Sequence, residues 1–560
     1  MRIVVVGGVA GGMSCAARAR RLDESAEIIV LERGEHVSFA NCGLPYYVGG
    51  EIVDAAKLLV QTPASLRAAL DLDVRTGHNV IGLDSERKTV TVTTADGVEE
   101  LAYDALVLAP GAYAARPPIT GLDSSRVRTL RTVDDALALR TKVDAGARRA
   151  VVLGAGFIGI EAAEALAHQG LETTIVEFAP HVLPPLETEL ASLVTDELRR
   201  LGIDVRTGVA AESIESTGEH DTVILGDGSR VDADIVVLSV GVRPDTAVFE
   251  AAGVACERGA MIVDEHGRTS LPNVWAVGDA TASVDAVTGI RRPVALAGPA
   301  NRAGRLVADH IVRPDQARPI PRPVGTAIVR VGDQTAALTG ANRAALDASG
   351  VAYRTLHLHP GQHAGYFPGT SQIHLVVHIG ADDGLLLGAQ AVGVDGVDKR
   401  IDVIATAIRA GMRVDELIDL DLAYAPPYGS AKDPVNMIGM VGENVGTGTL
   451  RLWYAEDLDE VTARAFVLDT RTRDEFATGH LPGAMNIPHT ELRGRLGEVR
   501  AASAGRPVRV LCQSGVRSAI AHRVLSQAGL DSASLSGGML TLRAFLGDRA
   551  GEVLTPAVAR

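Results

Sequence analysis

Two glycine-rich turns constrain the fold of this chain most, because each directly follows a short apolar run. Residues 3–6 lead into Gly7-Gly8-Val9-Ala10-Gly11-Gly12, and residues 150–153 lead into Gly154-Ala155-Gly156-Phe157-Ile158-Gly159. A helical stretch and another apolar strand follow each turn, and these strands end in Glu32 and Glu177. Strand, glycine turn, helix, strand and acid form the fingerprint of a dinucleotide-binding unit, whose backbone amides and helix N-terminus receive a pyrophosphate. The sequence therefore predicts two such units.

The two fingerprints differ in completeness. Val9 occupies the middle glycine position of the first, whereas the second has all three glycines. Gly154 is expected to make the turn, Gly156 to let the backbone approach the pyrophosphate, and Gly159 to allow close helix packing. Glu177 suits the free 2′-hydroxyl of NADH and repels the 2′-phosphate of NADPH. We therefore predict a preference for NADH, with NADPH as the alternative if arginines from elsewhere in the chain reach that phosphate.

Composition places the chain among soluble α/β proteins with several cores. It has 560 residues, of which 46% are hydrophobic and 22% charged, and about 150 residues per domain suggests roughly four domains. The 54 basic and 69 acidic residues give a net charge of −15, which argues against a nucleic-acid partner. The N-terminal residues run directly into a strand without signal-peptide features, and no apolar run approaches the roughly 18 residues of a membrane span. We predict a cytoplasmic location and no membrane contact.

Cysteine usage directs attention to one thiol. The four cysteines, Cys15, Cys42, Cys256 and Cys512, include no C-x-x-C pair, so neither a disulfide framework nor a metal site is expected. Cys42 lies in the stretch Ser38-Phe39-Ala40-Asn41-Cys42-Gly43-Leu44-Pro45-Tyr46. With no resolving cysteine nearby, a redox-active Cys42 would have to form its disulfide with a small thiol. The alternative is that Cys42 is a buried small hydrophobic residue.

Three later segments resemble FAD-dependent pyridine nucleotide-disulfide reductases. Residues 104–111 and 273–280 look like the strands that return to the FAD-binding domain, and residues 236–244 look like the strand and turn that leave the NAD(P)H-binding domain. The resemblance implies bound FAD, with Asp279 on the ribityl chain, and electron flow from NADH through FAD to Cys42. The cofactor contacts it implies outside the two glycine turns are Glu32, Arg33, Asn41, Cys42, Ala109, Pro110, Gly111, Glu177, Gly241, Gly278, Asp279, Pro299 and Ala300.

The Cys42 stretch is similar to the single-cysteine branch of these enzymes. That branch contains coenzyme A disulfide reductases, CoA-persulfide and polysulfide reductases, and NADH oxidases and peroxidases. The oxidases and peroxidases typically carry a histidine in the first glycine turn, where this chain has Ala10, so we favour thiol–disulfide chemistry. Attack by Cys42 on a sulfur substrate requires a low thiol pKa, for which a helix N-terminus or flavin contact is the expected source. The CoA contacts implied are Ser14, Arg18, Arg21, Ser38, Phe39, Asn41, Cys42 and Lys432.

Strand-like runs and a helix between about residues 321 and 442 resemble the dimerisation domain of the same reductases, which implies a homodimer. Tyr366 and Tyr424 lie in Gly/Pro-rich turns. The resemblance implies that they reach the partner's cysteine and stabilise the leaving CoA thiolate, because a phenol can donate a hydrogen bond or a proton. The alternative is that both tyrosines only pack at the interface.

The C-terminal stretch resembles a complete rhodanese domain. Cys512-Gln513-Ser514-Gly515-Val516-Arg517 closes a strand and opens a helix. Such a loop forms a nest of backbone N–H groups that stabilises a thiolate or persulfide on Cys512. Arg517 is expected either to orient the loop or to meet an anionic donor.

These observations predict an α/β chain with two nested Rossmann-like dinucleotide-binding domains, an α+β dimerisation domain and a C-terminal α/β rhodanese domain. The predicted boundaries are 1–113 and 246–320 for FAD binding, 114–245 for NAD(P)H binding, 321–442 for dimerisation, 443–451 for a linker and 452–560 for the rhodanese domain. The predicted activity is NADH-dependent reduction of CoA disulfide, CoA persulfide or polysulfide through a Cys42–CoA mixed disulfide. Its alternatives are an NADH oxidase and a non-catalytic sulfane-sulfur carrier or redox sensor.

Overall fold

A computed structural model describes residues 1–555 and divides the chain into two compact units. The first contains residues 1–180 and 199–325, and the second contains residues 181–198 and the chain from Thr326 onwards. Within residues 1–555, no helix has both the length and the apolar character needed to cross a membrane.

The first unit is built around two parallel sheets, one for each glycine fingerprint. The strands of the first sheet lie in the order Val274–Ala276, Ala105–Leu108, Arg2–Val6, Glu27–Leu31 and Asp73–Arg75. Those of the second lie in the order Asp204–Thr207, Glu172–Glu177, Arg149–Leu153, Ile235–Leu238 and Val127–Arg128. The central strands are continuous apolar runs because helices or smaller sheets cover both faces of a parallel sheet.

Helices and short antiparallel sheets complete the first unit. The helices are Ala10–Leu22, Leu44–Val48, Pro63–Leu70, Val133–Asp144, Phe157–His168, Ala247–Ala251 and Ala297–Val312. The antiparallel strands include Asn79–Asp84, Thr89–Thr94 and Gly97–Ala102 in one sheet, and Ala211–Ser216, Asp221–Leu225 and Arg230–Ala233 in another. The first parallel sheet has a separate hydrophobic core on each face. Residues from both ends of the predicted FAD-binding domain therefore share one sheet, which confirms the nested arrangement.

The second unit begins with an antiparallel sheet of five strands. Their order is Ala327–Val331, Gln334–Gly340, Leu386–Gly393, Ile373–Gly380 and Tyr353–Leu358. Helices Arg343–Ser349, Val397–Ala410 and Pro434–Gly446 accompany it. Buried residues of the sheet and the last two helices form one core.

The predicted linker at 443–451 starts too early, because helix Pro434–Gly446 continues through its first residues. Two glycines of this helix that precede the predicted linker allow close packing, whereas an added Cβ at Gly446 or Gly448, inside the predicted linker, would meet nothing within 4 Å. A Cβ atom at Gly439 would lie 2.8 Å from the backbone nitrogen of Ile418, and one at Gly442 would collide with the Val414 side chain. The glycines at positions 439 and 442 therefore reflect the tight contact of helix Pro434–Gly446 with Val414 and Ile418.

The rhodanese-like part has a parallel sheet in the order Leu452–Trp453, Ser532–Leu535, Val508–Leu511, Phe466–Asp469 and Met485–Asn486. Its helices are Leu458–Arg464, Arg473–Ala477, Leu496–Ser503, Val516–Gln527, Gly538–Leu546 and Ala550–Val553. Two hydrophobic cores lie within this part of the chain. The predicted α/β fold class is confirmed by this architecture.

Residues 181–198, which fall inside the predicted NAD(P)H-binding domain, belong to the second compact unit. Buried carboxylates hold them there: Glu189 accepts from His357 at 2.7 Å and from Arg343 at 2.8 Å. Glu187 lies 3.0 Å from His378 Nε2. These partners are distant in sequence, so the sequence pattern did not indicate the contact.

Candidate active site

The first glycine turn is shaped by close backbone approach. Gly7 has φ of +99°, and a Cβ atom there would collide with the Ala109 carbonyl. A Cβ at Gly12 would collide with the Gly7 carbonyl, which explains why both positions are glycine. The Glu32 carboxylate accepts hydrogen bonds from the Gly8 and Gly34 amides, at 2.8 and 2.9 Å. The acid is thus held beside the turn, as a nucleotide-binding role requires.

Residues from the returning segments lie at the same edge of the sheet. Gly7, Ala109 and Gly278 follow the carboxyl ends of three neighbouring parallel strands, which is where ligands bind in open α/β sheets. Gly304 packs so closely on Gly11 that a Cβ would collide with the Gly11 carbonyl, and this brings the helix that starts at Ala297 against the turn. Pro299 and Ala300 belong to the first turn of that helix. The residues present fit a dinucleotide such as FAD.

Asp279 has a partner that the sequence reasoning missed. Its carboxylate accepts a hydrogen bond from Arg131 Nη2 at 3.0 Å, and Arg131 Nε donates to the Ala112 carbonyl at 2.6 Å. Arg131 lies far from Asp279 in sequence, and no motif marked it. Arg33, another predicted cofactor contact, is exposed and forms an ion pair with Asp245.

The three glycines of the second turn have different structural roles. Gly154 has φ of +97°, and a Cβ at Gly159 would collide with the Gly154 carbonyl. A Cβ at Gly156 would meet nothing within 4 Å, so the backbone there is open to a ligand. The Glu177 carboxylate accepts from the Ala155 amide at 2.6 Å and from the Ala179 amide at 2.7 Å. This turn also fits a dinucleotide.

Two further predicted cofactor contacts, Ile158 and Gly241, lie close to this turn or to its sheet. Helix Phe157–His168 begins directly after Gly156, and Ile158 in its first turn is partly exposed. Gly241, which follows the strand Ile235–Leu238, has φ of +99°, and a Cβ there would meet nothing within 4 Å. The backbone near Gly241 is therefore open as well.

Cys42 is exposed and lies in a single 3-10 turn, Asn41–Gly43. The preceding segment ties it to the first glycine turn, because the Ser38 amide donates to the Gly8 carbonyl at 2.9 Å. Ser38 has φ of +45°, an unusual conformation for a non-glycine residue. The Ala40 amide donates to the Leu58 carbonyl at 2.8 Å. Backbone hydrogen bonds of the segment that precedes Cys42 therefore fix where the thiol lies relative to the turn.

The electrostatic surroundings of Cys42 differ from the expected ones. Desolvation of the sulfur and, secondly, the negative charge of Glu161 raise the pKa of the Cys42 thiol above its usual value. Glu161 lies on helix Phe157–His168 and accepts a hydrogen bond from the Tyr46 hydroxyl at 3.1 Å. Desolvation and Glu161 thus oppose the predicted low pKa. The two predicted sources of a low pKa, flavin contact and a helix N-terminus, stay predictions, and helix Leu44–Val48 begins two residues after Cys42. Glu161 was not identified from the sequence.

The predicted CoA contacts on helix Ala10–Leu22 are in three different environments. Ser14 donates to Asn301 Oδ1 at 2.7 Å. Arg18 forms an ion pair with Asp309, at 2.6 Å between Nε and Oδ1. Arg21 is exposed. Of the two arginines, Arg18 is paired with Asp309, whereas Arg21 has no ion pair with any residue of the described chain, 1–555.

The second unit brings Tyr366 and Tyr424 together. Their hydroxyl oxygens lie 2.9 Å apart, and this hydrogen bond raises the pKa of Tyr366. The Ala364 amide donates to the Gly429 carbonyl at 2.8 Å, which joins the two segments that carry the tyrosines. Both phenols are solvent-exposed, and so is the predicted CoA contact Lys432. The pair can donate one proton outward while the other is shared.

The buried side chain of Arg400 joins the two segments that carry Tyr366 and Tyr424. Its guanidinium donates to Asp433 Oδ2 at 2.8 Å and to the Gln362 carbonyl at 2.7 Å. Asp433 in turn caps helix Pro434–Gly446 through the Val435 amide. Neither residue stood out in the sequence.

Cys512 is fully buried beneath its loop, and its sulfur accepts a hydrogen bond from Ser518 Oγ at 3.3 Å. The Met539 amide donates to the Cys512 carbonyl at 2.8 Å. Arg517 forms two bonds of 2.7 Å with Glu475. This pair, together with hydrogen bonds from Thr472, lowers the pKa of Glu475 to about 2. Of the two predicted roles of Arg517, the pairing supports loop orientation.

Glu475 could have been found from the sequence. Thr472 and Glu475 form a capping box at the start of helix Arg473–Ala477, and the T-x-x-E spacing is its signature. The spacing places the carboxylate at the helix start, but it does not reveal the partner Arg517.

Comparison with known protein families identifies the class. Residues 1–304 match the model of pyridine nucleotide-disulphide oxidoreductases, and residues 326–434 match the dimerisation domain of the same family. Residues 451–543 match the rhodanese-like domain. The chain belongs to the pyridine nucleotide-disulphide oxidoreductase family, whose members use FAD and NAD(P)H, and it carries an additional rhodanese-like domain.

Particular relatives are similar over most or all of the chain. A coenzyme A disulfide reductase of Staphylococcus haemolyticus is 36% identical over 442 residues, covering 78% of this chain and 98% of the relative. The crystal structure of reduced Bacillus anthracis CoADR-RHD is 39% identical, with a TM-score of 0.95 and 99% of both chains covered. The structure of a NAD-dependent persulfide reductase from A. fulgidus is 36% identical, with a TM-score of 0.90, covering 97% of this chain and 100% of that one.

Oxidases of the same family are less similar. A water-forming NADH oxidase from Lactobacillus brevis is 26% identical, with a TM-score of 0.77, and covers 80% of this chain. The resemblance to the CoA disulfide and persulfide reductases that the Cys42 segment predicts is thereby confirmed.

Proposed function

We propose that this chain is an FAD-dependent, NADH-oxidising reductase of CoA disulfide, CoA persulfide or polysulfide, with Cys42 as the redox-active thiol. One observation carries the proposal. Cys42 is exposed, has no neighbouring cysteine in the sequence, and is attached by backbone hydrogen bonds to the first glycine turn. A thiol so placed must exchange sulfur bonds with a diffusible molecule. The similarity to a CoA disulfide reductase and a persulfide reductase supports CoA as that molecule.

The reaction divides into attack and reduction. The Cys42 thiolate attacks one sulfur of CoA disulfide, so a Cys42–S–S–CoA bond forms and one CoA leaves as the thiolate. With CoA persulfide, attack on the outer sulfur forms a Cys42–S–SH bond and again releases the CoA thiolate. FAD, which the first glycine turn with Glu32 and Asp279 would hold, would supply the two electrons from NAD(P)H that cleavage of this S–S bond requires. The second CoA thiolate or hydrosulfide then leaves, and Cys42 returns to the thiolate.

The tyrosine pair is proposed to stabilise the departing CoA thiolate, acting on the partner subunit of a homodimer. The supporting observation is the 2.9 Å contact between the Tyr366 and Tyr424 hydroxyls. One phenol of such a pair donates to the other, which leaves a second O–H for a thiolate. The presence of a dimerisation domain supports the homodimer. The four free cysteines agree with a cytoplasmic location.

NADH is proposed as the preferred nucleotide. The Glu177 carboxylate is held at the second glycine turn by two backbone amides, and a negative charge there disfavours a 2′-phosphate. We expect kcat/KM for NADH to exceed that for NADPH in steady-state assays with CoA disulfide. An equal or higher value for NADPH would contradict the role of Glu177.

The deciding experiment examines the oxidised protein by mass spectrometry. A CoA adduct on Cys42, absent from the Cys42→Ser variant and removed by NADH under anaerobic conditions, is the expected result. Anaerobic NADH oxidation should require CoA disulfide or CoA persulfide. Rapid oxygen consumption without a sulfur substrate would instead favour an NADH oxidase. Turnover below about one per minute on every sulfur substrate would favour the carrier or sensor.

A further inference from the structure

The rhodanese-like part has a groove beside the helix that follows the Cys512 loop. Its volume is about 530 Å³. The groove runs along the C-terminal half of helix Val516–Gln527 and is closed on one side by the 3-10 turn Leu492–Arg495. The residues that line it are Arg493, Ile520, Arg523, Val524, Gln527 and Ala528. No step of the proposed function uses this groove.

Charge distinguishes the groove from the surrounding surface. Within residues 1–555, neither Arg493 nor Arg523 has a carboxylate partner, and the Arg523 Nε is buried without a hydrogen-bond acceptor. By contrast, Arg473 and Arg495 of the same domain both pair with Glu491. No acidic residue lines the groove. Two guanidinium groups that line one cavity, Arg493 from the 3-10 turn and Arg523 from the helix, form a site for a phosphate.

An apolar path connects the groove with the Cys512 loop. Val516, Ile520 and Val524 recur at every fourth residue on one face of the helix. Val516 is 59% exposed and Ile520 is 39% exposed. The helical rise separates Val516 from Arg523 by about 10 Å along the axis. The surface thus passes from the Cys512 loop over apolar side chains to two arginines. This order matches a ligand that has sulfur at one end, an uncharged extended arm, and phosphate at the other end.

We propose that Arg493 and Arg523 bind the phosphate-bearing end of a CoA-type thiol whose persulfide delivers sulfur to Cys512. This rests on the proposed function, in which CoA carries the sulfur. In the transfer step, the Cys512 thiolate attacks the outer sulfur of the carrier persulfide. A Cys512–S–SH bond forms, the carrier's S–S bond breaks, and the carrier leaves as its thiolate. No net oxidation or reduction takes place.

The test uses the full chain carrying Cys42→Ser, so that sulfur transfer to Cys512 is observed without NADH chemistry. Persulfidation of Cys512 is followed by mass spectrometry with two donors, CoA persulfide and pantetheine persulfide, which has the same arm without the nucleotide. Arg493→Gln/Arg523→Gln should lower the second-order rate with CoA persulfide about tenfold or more, because charge-assisted hydrogen bonds to phosphate are lost. The rate with pantetheine persulfide should change less than about twofold. The matched control is Arg549→Gln, which removes another exposed arginine of the domain.

Competition identifies the source of the phosphate. Adenosine 3′,5′-bisphosphate should inhibit transfer from CoA persulfide in the parent, and should not inhibit it in the double variant. Inorganic phosphate that inhibits as well as the bisphosphate would overturn the proposal, because the site would then hold any small anion. An equal loss with both donors, or no loss with either, would also overturn it. NADH-dependent CoA disulfide reduction by the Cys42 protein is measured separately, so a failure of the proposed function is recognised independently.

Discussion

The ion pair between Arg400 and Asp433 is buried, and its burial determines how much stability the protein should lose when Arg400 is replaced. Arg400 is 1% exposed and donates to both Asp433 oxygens, at 2.8 and 3.3 Å. Replacing Arg400 with methionine leaves the Asp433 carboxylate buried without this cation. Removing one partner of a buried pair costs about 3–5 kcal/mol. Lys399, whose Nζ lies 3.8 Å from Asp433 Oδ2, offsets only part of this because its side chain is partly exposed.

A second substitution separates lost charge balance from lost packing. In an Arg400→Met/Asp433→Asn variant, the side chain at position 433 carries no charge, and its amide oxygen can still cap helix Pro434–Gly446 by accepting from the Val435 amide. We expect this double variant to recover at least half of the loss, so that at most about 1.5–2.5 kcal/mol remains. The matched control is Arg413→Met, because the Arg413–Asp415 pair is exposed at 53% and 42% of its side chains. That change should cost at most about 1 kcal/mol.

Hydrogen exchange followed by mass spectrometry measures these losses locally. A chain of several domains does not unfold in a two-state manner, whereas exchange reports the free energy of opening of each helix. Peptides from helices Val397–Ala410 and Pro434–Gly446 should show the full effect, and peptides from the first unit should show none. If Arg400→Met and Arg413→Met change protection equally, or if the double variant is no better than Arg400→Met, the reasoning is wrong.

Three further predictions concern the Cys42 thiol, the stability of the second unit and the tyrosine pair. Glu161→Gln should lower the pKa of the Cys42 thiol, because the substitution removes a negative charge that raises this pKa. The pH dependence of Cys42 alkylation by iodoacetamide measures the change, with the exposed Glu172→Gln as the control. If Glu161→Gln and Glu172→Gln give the same pH profile, the prediction is wrong. Burial lowers the pKa values of His359, His374 and His378. The unfolded chain therefore binds more protons below about pH 6.5, and stability of the second unit should fall with decreasing pH by up to about 1.4 kcal/mol per pH unit for each histidine. The free energy of opening of the second unit, measured by hydrogen exchange and corrected for the intrinsic exchange rate at each pH, should depend less on pH in His359→Asn/His374→Asn. An unaltered dependence would refute the assignment. Tyr424→Phe should reduce kcat for CoA disulfide more than it changes KM, since a proton donor to the leaving thiolate is lost; full turnover would leave the tyrosine pair with a packing role.

The sequence predicts those parts of the site whose conformation is determined within one short segment of the chain. The glycine turns, their terminal acids Glu32 and Glu177, and the Cys512 loop each follow from the conformation that a short segment must adopt. The structure places Glu32 and Glu177 beside their glycine turns and places the Cys512 loop between a strand and a helix. The nest of N–H groups around Cys512 stays a prediction. The residues that escaped prediction act across the chain. Glu161 influences Cys42, and Arg131 contacts Asp279, through tertiary contacts that no local spacing encodes.

Two differences in domain boundaries have the same origin. The predicted linker at 443–451 begins inside helix Pro434–Gly446, in which tertiary packing against Val414 requires glycine at position 442. Residues 181–198 follow the second fingerprint in sequence, but their carboxylates are satisfied by Arg343, His357 and His378. Burial of charged groups requires paired partners, and those partners decide to which unit the segment belongs.

Charge balance determines which of the predicted CoA contacts can act on phosphate. The chain has a net charge of −15, so its long-range field repels a CoA-type anion and capture depends on local cations. Arg18 already neutralises Asp309, so binding a phosphate there would require a competition between two anions. Arg21 and Lys432 are exposed and have no carboxylate partner within residues 1–555. Because exposed contacts to phosphate weaken with salt, we expect the predicted contact of Arg21 with CoA to contribute more to the ionic-strength dependence of CoA affinity than the predicted contact of Arg18.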